Sequence, residues 1–247
     1  MKNLFRVCSA VVLISCFAFG VAHAQNQPSA KATVKVSAVN LLEPLTATAG
    51  ASQNVVVEGP WTTILQNSIK TPNQKDLLIN ASLEVGLLTN TLVRSKLGIS
   101  DTSKAVAGVE VRILVDGNTA KPALPGTVIY GRRSQTLTAT FMGLFTSACF
   151  QLVDTNADGI PDTIQLIEDC FTPEELQLVL DTMDAASFNF VVADVPTGVH
   201  TVAVQARIVL DTSAQTGTAI AQALVGKGAV TIESVRLIKN EDVIDVP

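Results

Sequence analysis

The chain has 247 residues, 47% of them hydrophobic and 16% charged, with 22 acidic against 17 basic side chains and a formal charge of −5. That balance is enough for a sizeable core in one domain. It excludes the basic footprint of a nucleic-acid binder or of a protein held to an anionic membrane surface.

Residues 1–24 read as a signal peptide. Lys2 and Arg6 form a basic start, Val7–Gly20 is apolar, and Ala22-His23-Ala24 before Gln25 has the small-x-small form of a cleavage site. The alternative is a lipobox at Leu13-Ile14-Ser15-Cys16, which would leave a lipid-modified Cys16 at the new N-terminus. No later segment is long and apolar enough to span a bilayer. The expectation is export to the extracellular space or cell surface, with the periplasm as an alternative. Cleavage removes two basic residues and no acidic one, moving the formal charge from −5 to −7. It also removes Cys8 and Cys16, leaving Cys149 and Cys170 as an even pair in an oxidising compartment, which reads as a disulfide.

Residues 25–247 are expected to form a single domain. Ala32–Val39 alternates and reads as a strand, Asn40–Gln53 as an irregular stretch, and Asn54–Glu58 as a strand ending at Gly59-Pro60. Asp76–Leu88 is the cleanest pattern. Leu77, Ile79, Ala81, Leu83, Val85 and Leu87 share one face, with Asn80, Ser82, Glu84 and Gly86 on the other, the period of a half-buried antiparallel strand. Val109–Val115 repeats this and stops at the turn dipeptide Asp116-Gly117. Thr127–Tyr130 and Thr136–Phe141 add two more strands.

Residues 172–184 read as one short helix. Thr172 is its N-cap, Pro173 its first residue and Glu175 its capping-box partner, with Leu176, Val179, Leu180 and Met183 as an apolar stripe. Strands resume at Ser187–Val192, His200–Leu210, Thr218–Leu224 and Ala229–Ile238, the last with a bulge expected near Glu233-Ser234. Val109–Asp116 and Val204–Asp211 look alike, as equivalent strands of a duplicated sheet or through shared strand composition. About ten strands with no helix between successive ones predict an all-β antiparallel sandwich, of jelly-roll type.

Residues 149–170 carry the candidate site. Asp154, Asn156, Asp158 and Asp162 stand at positions 1, 3, 5 and 9 of a pattern with Gly159 sixth, and Ile160 at position seven offers a carbonyl. Short acidic side chains alternating on a tight loop can aim several hard oxygens at one centre, which suits calcium and disfavours transition metals. The run resembles the calcium loops of thrombospondin type 3 repeats and dockerins, over about a dozen residues. It departs from the EF-hand pattern at position twelve, where Gln165 stands in place of a bidentate Glu; Glu168, Asp169 or a water could substitute. The other reading of these residues is a solvated acidic turn. Phe150–Val153 and Thr163–Ile167 are strand-like, so the segment is expected to fold as a hairpin insert. Pairing symmetric about Gly159-Ile160 would set Cys149 opposite Cys170 at its base.

His200 is the one histidine left after cleavage; it lies on the apolar face of a strand, as a packed side chain or, in the other reading, a general base. No Gly-x-Ser-x-Gly, His-Glu-x-x-His or Walker pattern occurs. Gly198–Arg207 with Val230–Ile238 is similar to the closing strands of jelly-roll domains in exported bacterial and phage surface proteins. That resemblance, over Lys75–Asp116 and Phe188–Ile238, implies a fold and an extracellular setting but no reaction. The expectation is a non-enzymatic, calcium-stabilised surface, matrix or assembly component, able to form a homo-oligomer. The alternatives are a binding module for glycans or another exported protein, and third an exported hydrolase.

Overall fold

The computed structural model describes residues 31–37, 41–144, 150–157, 159–167 and 172–237. These residues form twelve antiparallel strands: β1 (Ala32–Ser37), β2 (Leu42–Ala49), β3 (Gln53–Glu58), β4 (Thr62–Thr71), β5 (Lys75–Ser95), β6 (Ser100–Val115), β7 (Val128–Thr140), β8 (Phe150–Val153), β9 (Thr163–Leu166), β10 (Glu174–Val195), β11 (Gly198–Ala214) and β12 (Thr218–Val235). Ten of them build two sheets that enclose the core. One runs β1-β12-β5-β10, with β2 also on β12; the other runs β3-β11-β6-β7, with β4 also on β11. β1 and β2 lie end to end along β12, and β3 and β4 do the same along β11. No helix among the described residues is long and apolar enough to cross a membrane.

The alternating segments behave as their period dictates. On β5 the face from Leu77 to Leu87 is buried and continues without a break through Thr89, Thr91, Val93 and Ser95. On β11 every second residue from His200 to Ala214 is buried. Sheet pairing extends the strands well beyond the runs that periodicity marks, because a ladder needs only main-chain groups and a compatible face. Leu42–Ala49, read as irregular, is a strand on β12 despite its Ala and Thr content. The two C-terminal segments are one strand, β12, and its phase change falls between Val225 and Gly228 instead of near Glu233-Ser234. There the buried set passes from Ala219, Ala221, Ala223 and Val225 to Val230 and Ile232. The look-alike segments Val109–Asp116 and Val204–Asp211 are neighbours in one sheet, with Val204 opposite Ile113 and Ile208 opposite Val109, and so are not equivalent strands of two sheets.

The helix expected over 172–184 does not form. Thr172 pairs with Leu144, and Glu174–Val195 is a 22-residue strand whose register on β5 runs unbroken from Glu174↔Ser95 to Val192↔Leu77. Leu176, Leu178 and Leu180 also alternate, so the same segment carries a strand face, with Val179 and Met183 turned to the other side. A cap is worth about 1 kcal/mol and an isolated three-turn helix is marginal, whereas β5 offers an edge of matching length. Glu175, the capping-box residue, pairs with Arg94 at 2.7 Å instead, and Glu174 beside it accepts a hydrogen bond from the Gly143 amide at 3.0 Å.

Candidate functional site

The excursion between β7 and β10 is closed at its base by Leu144 and Thr172, which exchange both main-chain hydrogen bonds at 3.0 Å. Beyond it β8 and β9 pair as a hairpin, as the strand-like flanks predict, with Phe150 opposite Leu166 and Val153 opposite Thr163. The register centres on position 158, not on Gly159-Ile160. The base bridge has the same centre. Cys149, Cys170 and Asp158 lie outside the described residues.

At the tip, Asp154 and Asp162 fold onto the loop's own donors. Asp154 accepts from the Asn156 amide at 3.2 Å and the Gly159 amide at 2.6 Å. Gly159 has φ +85°, the left-handed conformation its place in the motif calls for. Asp162 accepts from the Thr155 amide at 3.0 Å, from the Thr155 hydroxyl at 2.8 and 2.7 Å, and from the Thr163 hydroxyl at 3.2 Å. The Thr155 hydroxyl first, and its amide next, hold the Asp162 carboxyl below the usual carboxylate range. The structure thus brings positions 1 and 9 onto one loop and adds Thr155, which the acidic spacing alone does not single out. It leaves Gln165 on β9 opposite Gln151, and the Ile160 side chain 69% exposed. All these donors are hard oxygens, and Asp154 retains acceptor capacity beyond its two bonds. Asp162 would exchange bonds from Thr155 for an ion. Among the described residues no three His, Cys, Asp or Glu side chains gather as a metal group.

His200 is a clasp. Its ring is buried, with Nδ1 2.7 Å from Asp116 Oδ2 and Nε2 2.8 Å from the Pro196 carbonyl oxygen, and the Thr201 amide donates to the other Asp116 oxygen at 2.8 Å. Both ring nitrogens are engaged in joining the turn after β6 to the turn before β11. Trp61, the one indole, lies under two guanidinium groups, Arg112 at 4.3 Å and Arg207 at 5.0 Å from its ring centroid. Arg207 in turn bridges Glu110 at 2.7 Å and Glu58 at 3.1 Å. On β10 Phe190 is buried, whereas Phe188 on the same face is 39% exposed.

Polar groups that sequence reasoning missed lie between β7 and β10. The Tyr130 hydroxyl accepts from the Leu83 amide at 3.0 Å and reaches the carbonyls of Ala81 and Ala186; burial pushes its pKa up to about 12. Gln135 is buried, accepting from Thr89 at 2.7 Å and donating to the Leu178 carbonyl at 2.8 Å. Arg133 is partly buried and donates to Thr182. Tyr130, Arg133 and Thr182 line a cavity of about 200 Å³ together with Val85, Leu87, Arg132 and Asp184.

No family model and no curated protein matches the chain. Solved structures match at low similarity. The infectious bursal disease virus Gx strain is 9% identical with a TM-score of 0.19, over 88% of this chain and 44% of that one. T=1 particles derived from infectious bursal virus give 13% and 0.15, over 92% and 45%. A CocE/NonD family hydrolase from Staphylococcus aureus gives 10% and 0.17, over 78% and 37%. The chain spans less than half the length of these structures, and TM-scores of this size do not establish a shared fold.

Proposed function

We propose that this protein is an exported, non-enzymatic sandwich of jelly-roll type that serves as a surface, matrix or assembly component, stabilised by calcium on the β8–β9 loop and by a Cys149–Cys170 disulfide. Taking β1 with β2 and β3 with β4 as single positions, one sheet holds positions 1-8-3-6 of the chain and the other 2-7-4-5. That interleaving supports the jelly-roll reading. Asp154, Asn156, Asp158 and Asp162, with the carbonyl of Ile160 and the amide of Gln165, would hold the ion and tie the tip of the insert.

The observation that carries the assembly reading is where the apolar surface lies. Phe150, Leu152, Ile160 and Ile164 on the hairpin, and Leu176, Leu178, Val179, Leu180, Met183 and Phe188 on β10, are all between 39% and 69% exposed. Adjacent large apolar side chains left in water mark a surface built to be covered. The His200 clasp and the guanidinium-covered Trp61 disfavour the hydrolase and the glycan platform respectively.

The test is light scattering and thermal unfolding of the purified exported form, in calcium and in EGTA. Concentration-dependent assembly, with a melting temperature that rises in calcium, is the expected result. A hundredfold excess over the dissociation constant corresponds to about 2.7 kcal/mol of stabilisation. A monomer at all concentrations, with the same melting temperature in both buffers and no calcium on the purified protein, overturns the reading. Free-thiol titration of the native protein checks the disulfide; two reactive thiols would remove it.

A further inference from the structure

We infer that the outer edge of β10 is where a second copy of this chain pairs, edge to edge and antiparallel, joining two sandwiches into one continuous sheet. The inference rests on the assembly reading above and names its surface and its partner.

Every sheet edge is a row of main-chain donors and acceptors, and stable monomers blunt their edges. Three of the four edges here are blunted. β1 is six residues long with Lys35 within it, and β2 holds Pro44. β3 is also six residues long, and β4 carries a register shift where it pairs with β11 near Leu65. β7 carries Arg132 and Arg133 next to a shift at Gly131. β10 is the long edge. From Glu174 to Val192 it contains no Pro, Gly, Lys or Arg and no shift, and its charges over that length are the carboxylates Glu174, Glu175, Asp181 and Asp184.

The ladder also shows which groups are open. Val191 exchanges both main-chain bonds with Leu124 on the outer side, at 2.8 and 2.9 Å. Alternation along an unbroken antiparallel ladder then turns the other odd-numbered residues outward as well. The outward Ala185 amide is taken by the Asp184 carboxylate at 2.8 Å. Among the described residues Glu175, Gln177, Val179, Asp181 and Met183 therefore present the open stretch, flanked on both faces by exposed Leu176, Leu178, Leu180 and Met183.

A second copy fits this edge by charge as well as by shape. A two-fold axis through Leu180 sets Leu180 against itself, Val179 against Asp181, Leu178 against Thr182, Gln177 against Met183 and Glu175 against Ala185. No two carboxylates are opposed in that register, whereas an axis through Asp181 would oppose two. The shared edge is about 35 Å long and the sheet about 10 Å thick. That is at the small end of specific interfaces, so a micromolar dimer is expected and not a permanent one.

The test is sedimentation equilibrium of the purified exported form up to about 200 µM, well above a micromolar dissociation constant, for wild type, Val179→Pro and Met183→Lys. Proline at 179 removes an outward N–H without taking one from the β5 ladder, and lysine at 183 charges the rim without touching the main chain. Val56→Lys, on an exposed position of β3, is the control. The expected result is a wild-type dimer weakened at least about tenfold by either β10 change, with Val56→Lys and all melting temperatures near wild type. A wild type that assembles equally well with both β10 changes overturns the edge and leaves the assembly reading standing. A wild type that stays monomeric overturns both.

Discussion

Asp101 ties the two sheets together at one end, and its replacement by asparagine is a sharp test of the fold. The side chain is 1% exposed. Its Oδ2 accepts from the Arg94 amide at 2.6 Å and its Oδ1 from the Thr216 amide at 2.9 Å, so one carboxylate holds the end of β5 and the turn between β11 and β12. Asparagine keeps one oxygen for one amide and turns an NH2 donor toward the other. Hydrogen bonds to a charged group are worth about 1.5–3 kcal/mol, and a buried amide left without an acceptor costs about 1–3. Asp101→Asn should therefore destabilise by about 3 kcal/mol. With m of about 2–3 kcal/mol/M, the urea midpoint at pH 7 should fall by about 1 M.

The same carboxylate predicts the pH dependence of that gap. Burial pushes the Asp101 carboxyl up, but the bonds from Arg94 and Thr216 outweigh it, and the group lies below its ordinary 3.8. A depressed native value means the stabilisation is fully present above the unfolded value of about 3.9 and is lost as pH falls through the native one. The wild-type and Asp101→Asn midpoints should converge as pH falls below about 4. Equal midpoints at pH 7, or a gap that stays constant down to pH 3, would refute the clamp.

Three further outcomes follow from the same geometry. Tyr130 is the chain's single tyrosine, so its ionisation can be followed by ultraviolet absorbance without interference. Because its native pKa is raised to about 12, its contribution is complete below pH 10 and is lost as pH climbs toward the native value; tyrosinate absorbance should appear late and with unfolding, and Tyr130→Phe should flatten the alkaline limb. Thr155→Ala releases Asp162 from a competing hydroxyl, so calcium affinity measured by isothermal titration should rise severalfold; unchanged affinity would mean Asp162 does not bind the ion. Gly217→Ala would place a Cβ 1.8 Å from the Leu92 carbonyl oxygen, and overpacking against main chain should cost about 3 kcal/mol or more in denaturant unfolding.

The buried faces of β5, β6 and β11 were legible because one face packs on the core and period-two alternation survives in the residues themselves. Leu77–Leu87 and Val202–Leu210 needed no partner to be read. What escaped depends on partners. Leu176–Met183 carries a helical stripe and helix caps as well as alternation, and only the length of β5 decides between them. Leu42–Ala49 is a strand because β12 offers it an edge. The loop at 154–162 was legible from its Asp, Asn and Gly spacing, but the hairpin's register was not. A change of one and a half residues in the tip's centre moves the pairing by three, and nothing local marks position 158 over Gly159-Ile160. The Asp101, Tyr130 and Gln135 bonds join residues far apart in sequence, and no periodicity carries that signal.

The neighbours of β12 set the order in which the molecule can form. β1, β2 and β5 all pair with a strand that ends at Val235, and β3, β4 and β6 with one that begins at Gly198. During synthesis only β6 with β7, and β8 with β9, find partners early: β5 has neither neighbour until β10 and β12 exist, and β1 to β4 have none until β11 and β12 do. Such a topology folds slowly and all at once, since loop closure must precede nearly every stabilising pair. A chain built this way completes neither sheet until its last two strands have been made. It also leaves a long apolar strand unpaired in the interval, when chaperoning matters most.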